Sequence, residues 1–204
     1  MRRLAEWLTS VLVSKAVISN EEEELYAFGF QTGLEFMSCL SVSLIIAAIT
    51  HHVAEYLVFL AVFMPVRSYA GGFHFDRFLY CFLGSCAWIA FVVWLSGLEL
   101  LAIQWCAAGI AIMLFTIGKI PPTEHENRKV SDTEKAVFHR ILWKILLFIG
   151  IGTTGFYIVG SRKYLNLIFL TLLSVLISML IGKVSSCISC RNRKKTPDKK
   201  REKK

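Results

Sequence analysis

Charged residues are unevenly spaced along the chain, and the gaps between them are long. Runs free of Asp, Glu, Lys and Arg cover Phe36–Ala54, Phe78–Leu95, Leu100–Gly118, Ile145–Ser161 and Tyr164–Gly182. Each holds 17 to 19 residues, against the ~20 a helix needs to cross a ~30 Å hydrocarbon core. A two-layer soluble fold would show alternating polar faces, and these runs show none. A further apolar stretch, Tyr56–Val66, is only 11 residues long, which suits either a short crossing or a re-entrant segment. The pattern predicts an all-α polytopic membrane protein with about six membrane segments, one of them short.

Ahead of these runs, Leu4, Trp7, Leu8, Val11 and Ile18 fall within roughly 100° of one another on a helical wheel. Val13 and Val17 fall off that stripe and Lys15 falls on it. Residues 1–19 are therefore predicted to form an amphipathic helix lying on the cytoplasmic leaflet. Glu6, Ser10, Ser14 and Lys15 interrupt the apolar residues, so no cleavable signal peptide is predicted. Asn20 followed by Glu21–Glu24 reads as the start of the next helix, with a capping side chain and acidic residues in the first turn, rather than as a metal site. Residues 20–185 form the transmembrane domain. The stretch from 186 to 204 is a basic cytoplasmic tail; from Ser189 it is polar, contains Pro197 and lacks apolar periodicity, which predicts disorder and an electrostatic hold on anionic lipid.

Composition adds little to this picture, because a soluble domain is also about half apolar and this chain is 55% hydrophobic. Charge adds more. Of the 23 Lys and Arg residues, 20 fall in the N-terminal stretch, the loop around Gly71, the connection Lys119–Arg140 and the tail. Only Arg162 and Lys163 fall on the other side, and Lys144 sits at a helix end. The positive-inside rule then places both termini on the cytoplasmic side of the cell membrane and requires an even number of crossings. Disordered, collagen-like and disulfide-scaffold classes are excluded. The chain has no internal repeat, Gly-rich phosphate loop or nucleic-acid motif, so the basic tail points to membrane lipid and not to nucleic acid.

Chemistry concentrates in one polar island, Arg67-Ser-Tyr-Ala-Gly71-Gly72-Phe-His74-Phe-Asp76-Arg77-Phe-Leu-Tyr-Cys81-Phe-Leu-Gly-Ser85. Gly71-Gly72 weakens helix and lets a backbone or ligand approach closely; with Pro65 upstream it argues against one continuous helix. A Cys with a nearby His is the minimum for thiolate catalysis. The imidazole takes the thiol proton, the thiolate attacks a carbonyl, and the imidazolium protonates the leaving amine. Adjacent positive charge and a helix N-terminus favour the thiolate. On one unbroken helix, however, His74 and Cys81 would stand about 10.5 Å apart along the axis, and His74 would lean away. The dyad reading therefore requires a break around His74, with Cys81 in the first turns of the following helix. The plain alternative is an interfacial His and a small packing Cys.

The other cysteines read more simply. Cys39, Cys86 and Cys106 lie in apolar runs and read as packing residues. Cys187 and Cys190 form a lone CxxC without two further ligands at zinc spacing, so no metal and no cofactor is predicted. A reducing cytosol predicts no structural disulfide.

At the island the chain resembles the accessory gene regulator B (AgrB) family, bacterial membrane endopeptidases that mature quorum-sensing peptides. The carrying residues are Arg67, Gly71-Gly72, His74 seven after the Arg, Cys81 seven after the His and Ser85 four further on. Gly29-Phe30-Gln31 is similar to the family's Gly-x-Gln or Gly-x-Glu. Pro121-Pro122-Thr-Glu-His-Glu-Asn127-Arg128-Lys129 resembles its Pro-containing cytoplasmic loop. Lys129 stands where many members carry Pro, and the Lys-rich tail is atypical. The resemblance runs from about residue 5 to residue 185.

The resemblance implies that Cys81 is the nucleophile and His74 its base. It implies a substrate that is an AgrD-like propeptide with an amphipathic leader, a central Cys or Ser and an acidic C-terminal segment, and it implies a homodimer. Gln31 then has two candidate roles, orienting His74 or donating to an oxyanion, beside plain interhelical bonding. Ser85, one turn beyond Cys81, would line the pocket. Arg67, Arg128 and Lys129 suit either the acidic segment of the substrate or topology control, and Gly71 and Gly72 suit close approach of the substrate. Asp76 pairs with an Arg or orients His74. Glu35 borders an apolar run and should face protein or water. A rival class is non-enzymatic, a peptide-docking scaffold or exporter in which the island only binds.

Overall fold

The computed structural model describes residues 2–15, 17–19, 22–70, 78–120 and 132–195, with side chains except at 78–81, 132–135 and 185–195. Among these the chain is entirely helical. The elements are α1 Arg2–Ser14, α2 Glu23–Ile49, α3 Val53–Ala70, α4 Phe78–Ser96, α5 Ile103–Lys119, α6 Asp132–Val159 and α7 Arg162–Lys195. Four segments are long and apolar enough to cross a membrane: Glu23–Ile49, Val53–Ala70, Ala136–Val159 and Arg162–Val184. Phe82–Ser96 and Ile103–Lys119 are shorter apolar helices. The protein is a polytopic all-α membrane protein.

The helices outrun the apolar runs. α2 starts at Glu23, well before Phe36, and ends at Ile49, where His51 takes a positive φ of 60°. Its N-cap is Glu22 and not Asn20, which lies outside the described residues. The Glu22 carboxylate accepts hydrogen bonds from the Ser19 backbone N–H (3.2 Å) and hydroxyl (3.0 Å). With the Glu22 backbone N–H donating to the Ser19 carbonyl at 3.1 Å, these bonds close a tight turn just ahead of the helix. α3 is the larger departure. It spans 18 residues instead of 11, running through Pro65 to Ala70. A mid-helix proline costs about 3 kcal/mol, and here Val62, Val66 and Ala70, spaced by four, bury one face of the helix around it. α7 is helical to Lys195, past residue 186 where the tail was drawn.

The chain divides into two compact units, Met1–Val53 with Phe75–Ala90, and Ala54–His74 with Phe91–Lys204. In the first, α1 packs on α2 through Ala5 and Thr9, which are buried, whereas Leu4 and Trp7 of the predicted stripe remain exposed. Small residues make the helix contact, and the large apolar side chains are left for a lipid surface.

In the second unit, α5 packs against α6 and α7 and α6 against α7. One core cluster joins Val62, Val66 and Ala70 of α3 to Cys106, Ile110, Met113 and Ile117 of α5, Leu142 and Leu146 of α6, and Leu165, Leu172 and Met179 of α7. The outer faces are apolar too: Phe148 is 78% and Val159 80% exposed. Such a surface suits hydrocarbon and not water. Hydroxyls along the spans return to their own helices, as with Thr153 to the Ile149 carbonyl (2.8 Å) and Thr171 to Leu167 (2.7 Å).

Candidate functional site

The described helices carry three of the island residues, Arg67, Cys81 and Ser85. Arg67 stands in the last turn of α3, half-buried, in a segment anchored by Val66 and Ala70, both 0% exposed. Tyr69 adds an edge-on contact with Phe138 of α6, with ring centroids 6.0 Å apart. α3 ends at Ala70, and α4 begins at Phe78, so Cys81 is the fourth residue of α4. The break around His74 that the dyad reading requires lies outside the described residues. Ser85, half-buried, lies one turn further along α4. Gly71, Gly72, His74, Asp76, Arg128 and Lys129 lie outside the described residues.

A polar row runs along α2. Gln31, Glu35, Cys39, Ser43 and Ala47 recur every four residues and so share one ridge. The first three are half-buried and the last two buried, while Phe28, Phe36, Met37, Leu44 and Ile45 point outward and are exposed. Ser43 meets α4: its hydroxyl lies 3.6 Å from the Cys86 thiol in a buried contact. At the other end the Gln31 side-chain amide donates to the Glu35 carboxylate at 3.0 Å. Gln31 is therefore engaged within its own helix, a partner that the sequence reading had not considered. The signal was available as Gln31-x-x-x-Glu35, the spacing at which helix side chains meet.

Cys86 and Cys106 are buried packing residues, as expected, and Cys39 is half-buried on the α2 ridge. Among the described residues no group of three His, Cys, Asp or Glu side chains is placed to hold a metal ion.

A second polar cluster, missed in the sequence, gathers at the opposite ends of the helices of the second unit. The buried Glu55 carboxylate pairs with the Lys163 ammonium, and Arg162 sits 3.8 Å from Glu99. Asn166, 3% exposed, bonds the Leu101 backbone. A lone Asn in an apolar run was its signal, since such side chains seek partners between helices.

Four long apolar helices with exposed apolar faces define a polytopic membrane protein. The chain matches the family model of accessory gene regulator B over residues 2–202 and belongs to that family. Its role is in quorum-sensing peptide processing, with an AgrD-type propeptide as partner. No curated protein and no solved structure matches the chain.

Proposed function

We propose that this protein is a membrane-embedded cysteine endopeptidase that cleaves the C-terminal segment from an AgrD-like propeptide and closes the remaining peptide into a ring. His74 takes the proton of the Cys81 thiol. The thiolate adds to the carbonyl at the junction with the C-terminal segment, and the C–N bond breaks. The imidazolium gives its proton to the leaving amine, leaving a Cys81 thioester. The propeptide's own central Cys or Ser then attacks that thioester. Cys81 departs as thiolate, recovers its proton, and a thiolactone or lactone forms. Exchange of one thioester for another is nearly balanced, so the amide cleavage is the difficult step. A leader held at the membrane makes ring closure effectively unimolecular and disfavours water as the nucleophile.

The observation that carries this reading is the position of Cys81 as the fourth described residue of α4. There the helix N-terminus stabilises negative charge. The family spacing of Arg67, Gly71-Gly72, His74, Cys81 and Ser85 supports it as well. In this reading both termini, and with them the site, lie on the cytoplasmic side, and the basic tail holds to anionic lipid. Arg67, Arg128 and Lys129 receive the acidic C-terminal segment, and two copies of the chain act together as a homodimer.

The test is propeptide processing in proteoliposomes by wild type and Cys81→Ser. Loss of cleavage with peptide still bound supports the enzyme, and a product lighter than the linear peptide by one water shows cyclisation. Unchanged maturation by Cys81→Ser would leave only the docking or export reading.

A further inference from the structure

A groove of about 700 Å³ runs between α5 and α6 on an exposed apolar side of the second unit. Its walls include Gln104, Ala111 and Phe115 of α5 and Trp143, Gly150 and Tyr157 of α6. From Trp143 to Tyr157 it extends about 21 Å along α6, most of the way through a ~30 Å hydrocarbon core. Spread over that length its cross-section is about 33 Å², against about 80 Å² for a helix 10 Å across. A flexible apolar chain sinks into such a groove, whereas a helix lies over it. Midway along, the Thr153 and Thr154 hydroxyls donate back to the Ile149 and Gly150 carbonyls at 2.8 and 2.9 Å. The walls there suit hydrocarbon better than a polar chain.

One end of the groove is cationic. The Trp143 ring closes it, lying so near Gly118 that an added Cβ would stand 2.7 Å from Cζ2. Its Nε1–H donates to His139 Nε2 at 3.0 Å, which fixes the ring. An indole so placed marks the level of lipid headgroups. The Lys119 ammonium stands 5.3 Å from the centroid of Phe115, whose ring lines the groove. On α6, Arg140 precedes Trp143 by three residues and Leu147 by seven, which puts it on the groove side. Both cations are exposed, and among the described residues neither joins a salt bridge. α5 carries no carboxylate, nor does α6 from Ala136 onward.

We propose that this groove is a binding site for an anionic phospholipid, with an acyl chain between α5 and α6 and the phosphate at Lys119 and Arg140. Charge complementarity selects the occupant. Apolar walls take the chain, and two cations at headgroup level take the phosphate. The site lies within the second unit and does not depend on the chemistry proposed for Cys81.

Native mass spectrometry of the full-length protein in detergent, titrated with phosphatidylglycerol or with phosphatidylcholine of the same acyl chains, tests the site. Wild type should bind one phosphatidylglycerol per chain about thirtyfold more tightly than phosphatidylcholine, the range of two cations near a headgroup. Lys119→Gln/Arg140→Gln should abolish that preference and leave phosphatidylcholine binding unchanged. Ala111→Phe, at an exposed position on the groove wall, should weaken both lipids by filling the space for the chain. Changing the Lys and Arg residues from Arg191 onward to Gln should leave the preference in place. Equal binding of the two lipids by wild type, a preference kept in the Lys119→Gln/Arg140→Gln variant, or phosphatidylglycerol binding untouched by Ala111→Phe would each overturn the proposal. Preference lost on neutralising the tail alone would overturn it by moving the lipid to the tail. A dimer that Ala111→Phe dissociates would assign the groove to a second copy, and phosphatidylglycerol displaced by the propeptide would assign it to peptide; either overturns the proposal. If Ala111→Phe does not fold, the Lys119→Gln/Arg140→Gln variant decides the matter alone.

Discussion

Asn166 on α7 grips the backbone of Leu101 from both sides. Its side-chain oxygen accepts the Leu101 N–H at 3.3 Å, and its side-chain nitrogen approaches the Leu101 carbonyl at 3.4 Å while also donating to the Arg162 carbonyl at 3.0 Å. The turn before α5 has few backbone partners of its own, and Glu99 within it takes a positive φ of 45°. Buried backbone groups need partners, and one Asn supplies them. Asn166→Leu should therefore lower stability by about 2 kcal/mol, since it leaves Leu101 unsatisfied. Thermal unfolding in detergent checks this, and a melting temperature within a degree of wild type would contradict it.

The neighbouring ion pair makes a different prediction. Glu55 is buried and Lys163 is about one-third exposed on its side chain. The pair ties the start of α3 to the start of α7, where a cation would otherwise oppose the helix dipole. Lys163→Ala should cost about 1–3 kcal/mol by stranding a buried carboxylate, with part of that offset by solvent at the exposed lysine. Charge exchange, Glu55→Lys with Lys163→Glu, should recover more than half of the loss in the same assay. Equal losses in the single and exchanged variants would show that packing, not pairing, matters there.

Close packing between α5 and α7 is set by Gly109. A Cβ added there would stand 2.5 Å from Cε2 of Phe169, so Gly109→Ala forces the ring aside and should destabilise by about 1–3 kcal/mol. Phe169→Leu should relieve much of that in the double variant. A fully stable Gly109→Ala protein would mean that the ring moves freely.

Arg67 yields a prediction about substrate. If it receives the acidic C-terminal segment, Arg67→Ala should raise KM for the propeptide several-fold, the range of one charge-assisted contact. Replacing the acidic residues of that segment with their amides should erase the difference. An equal defect on both substrates would assign Arg67 to topology or folding instead.

The sequence made the helices legible where lipid alone selects the residues. The charge-free runs mark the cores of α2 and α4 to α7 and overrun the ends of α2, α5 and α6 by only two to five residues, because in hydrocarbon every backbone group must be satisfied within its own segment. It was less informative where protein contacts override composition. α2 extends back to Glu23 through Gln31 and Glu35, two polar residues that satisfy each other at helical spacing. α3 continues through Pro65 because Val62, Val66 and Ala70 are buried on its inner face. The α1 stripe gave the amphipathic helix correctly, but its protein contact is the smaller face of Ala5 and Thr9. At the site, the placement of Cys81 and Ser85 on α4 was readable from the charge-free run Phe78–Leu95. The partners that hold Gln31 and Leu101 were not, since each is fixed by which helix face meets which neighbour.

The central claim is the acyl-enzyme on Cys81, and intact mass spectrometry of the detergent-solubilised protein tests it most directly. After incubation with its propeptide at mildly acidic pH, the protein should carry an added mass equal to the propeptide without its C-terminal segment, less one water. Hydroxylamine should remove the adduct, Cys81→Ala should abolish it, and His74→Ala should slow its appearance. An unmodified protein with confirmed propeptide binding and no released C-terminal fragment would contradict the account.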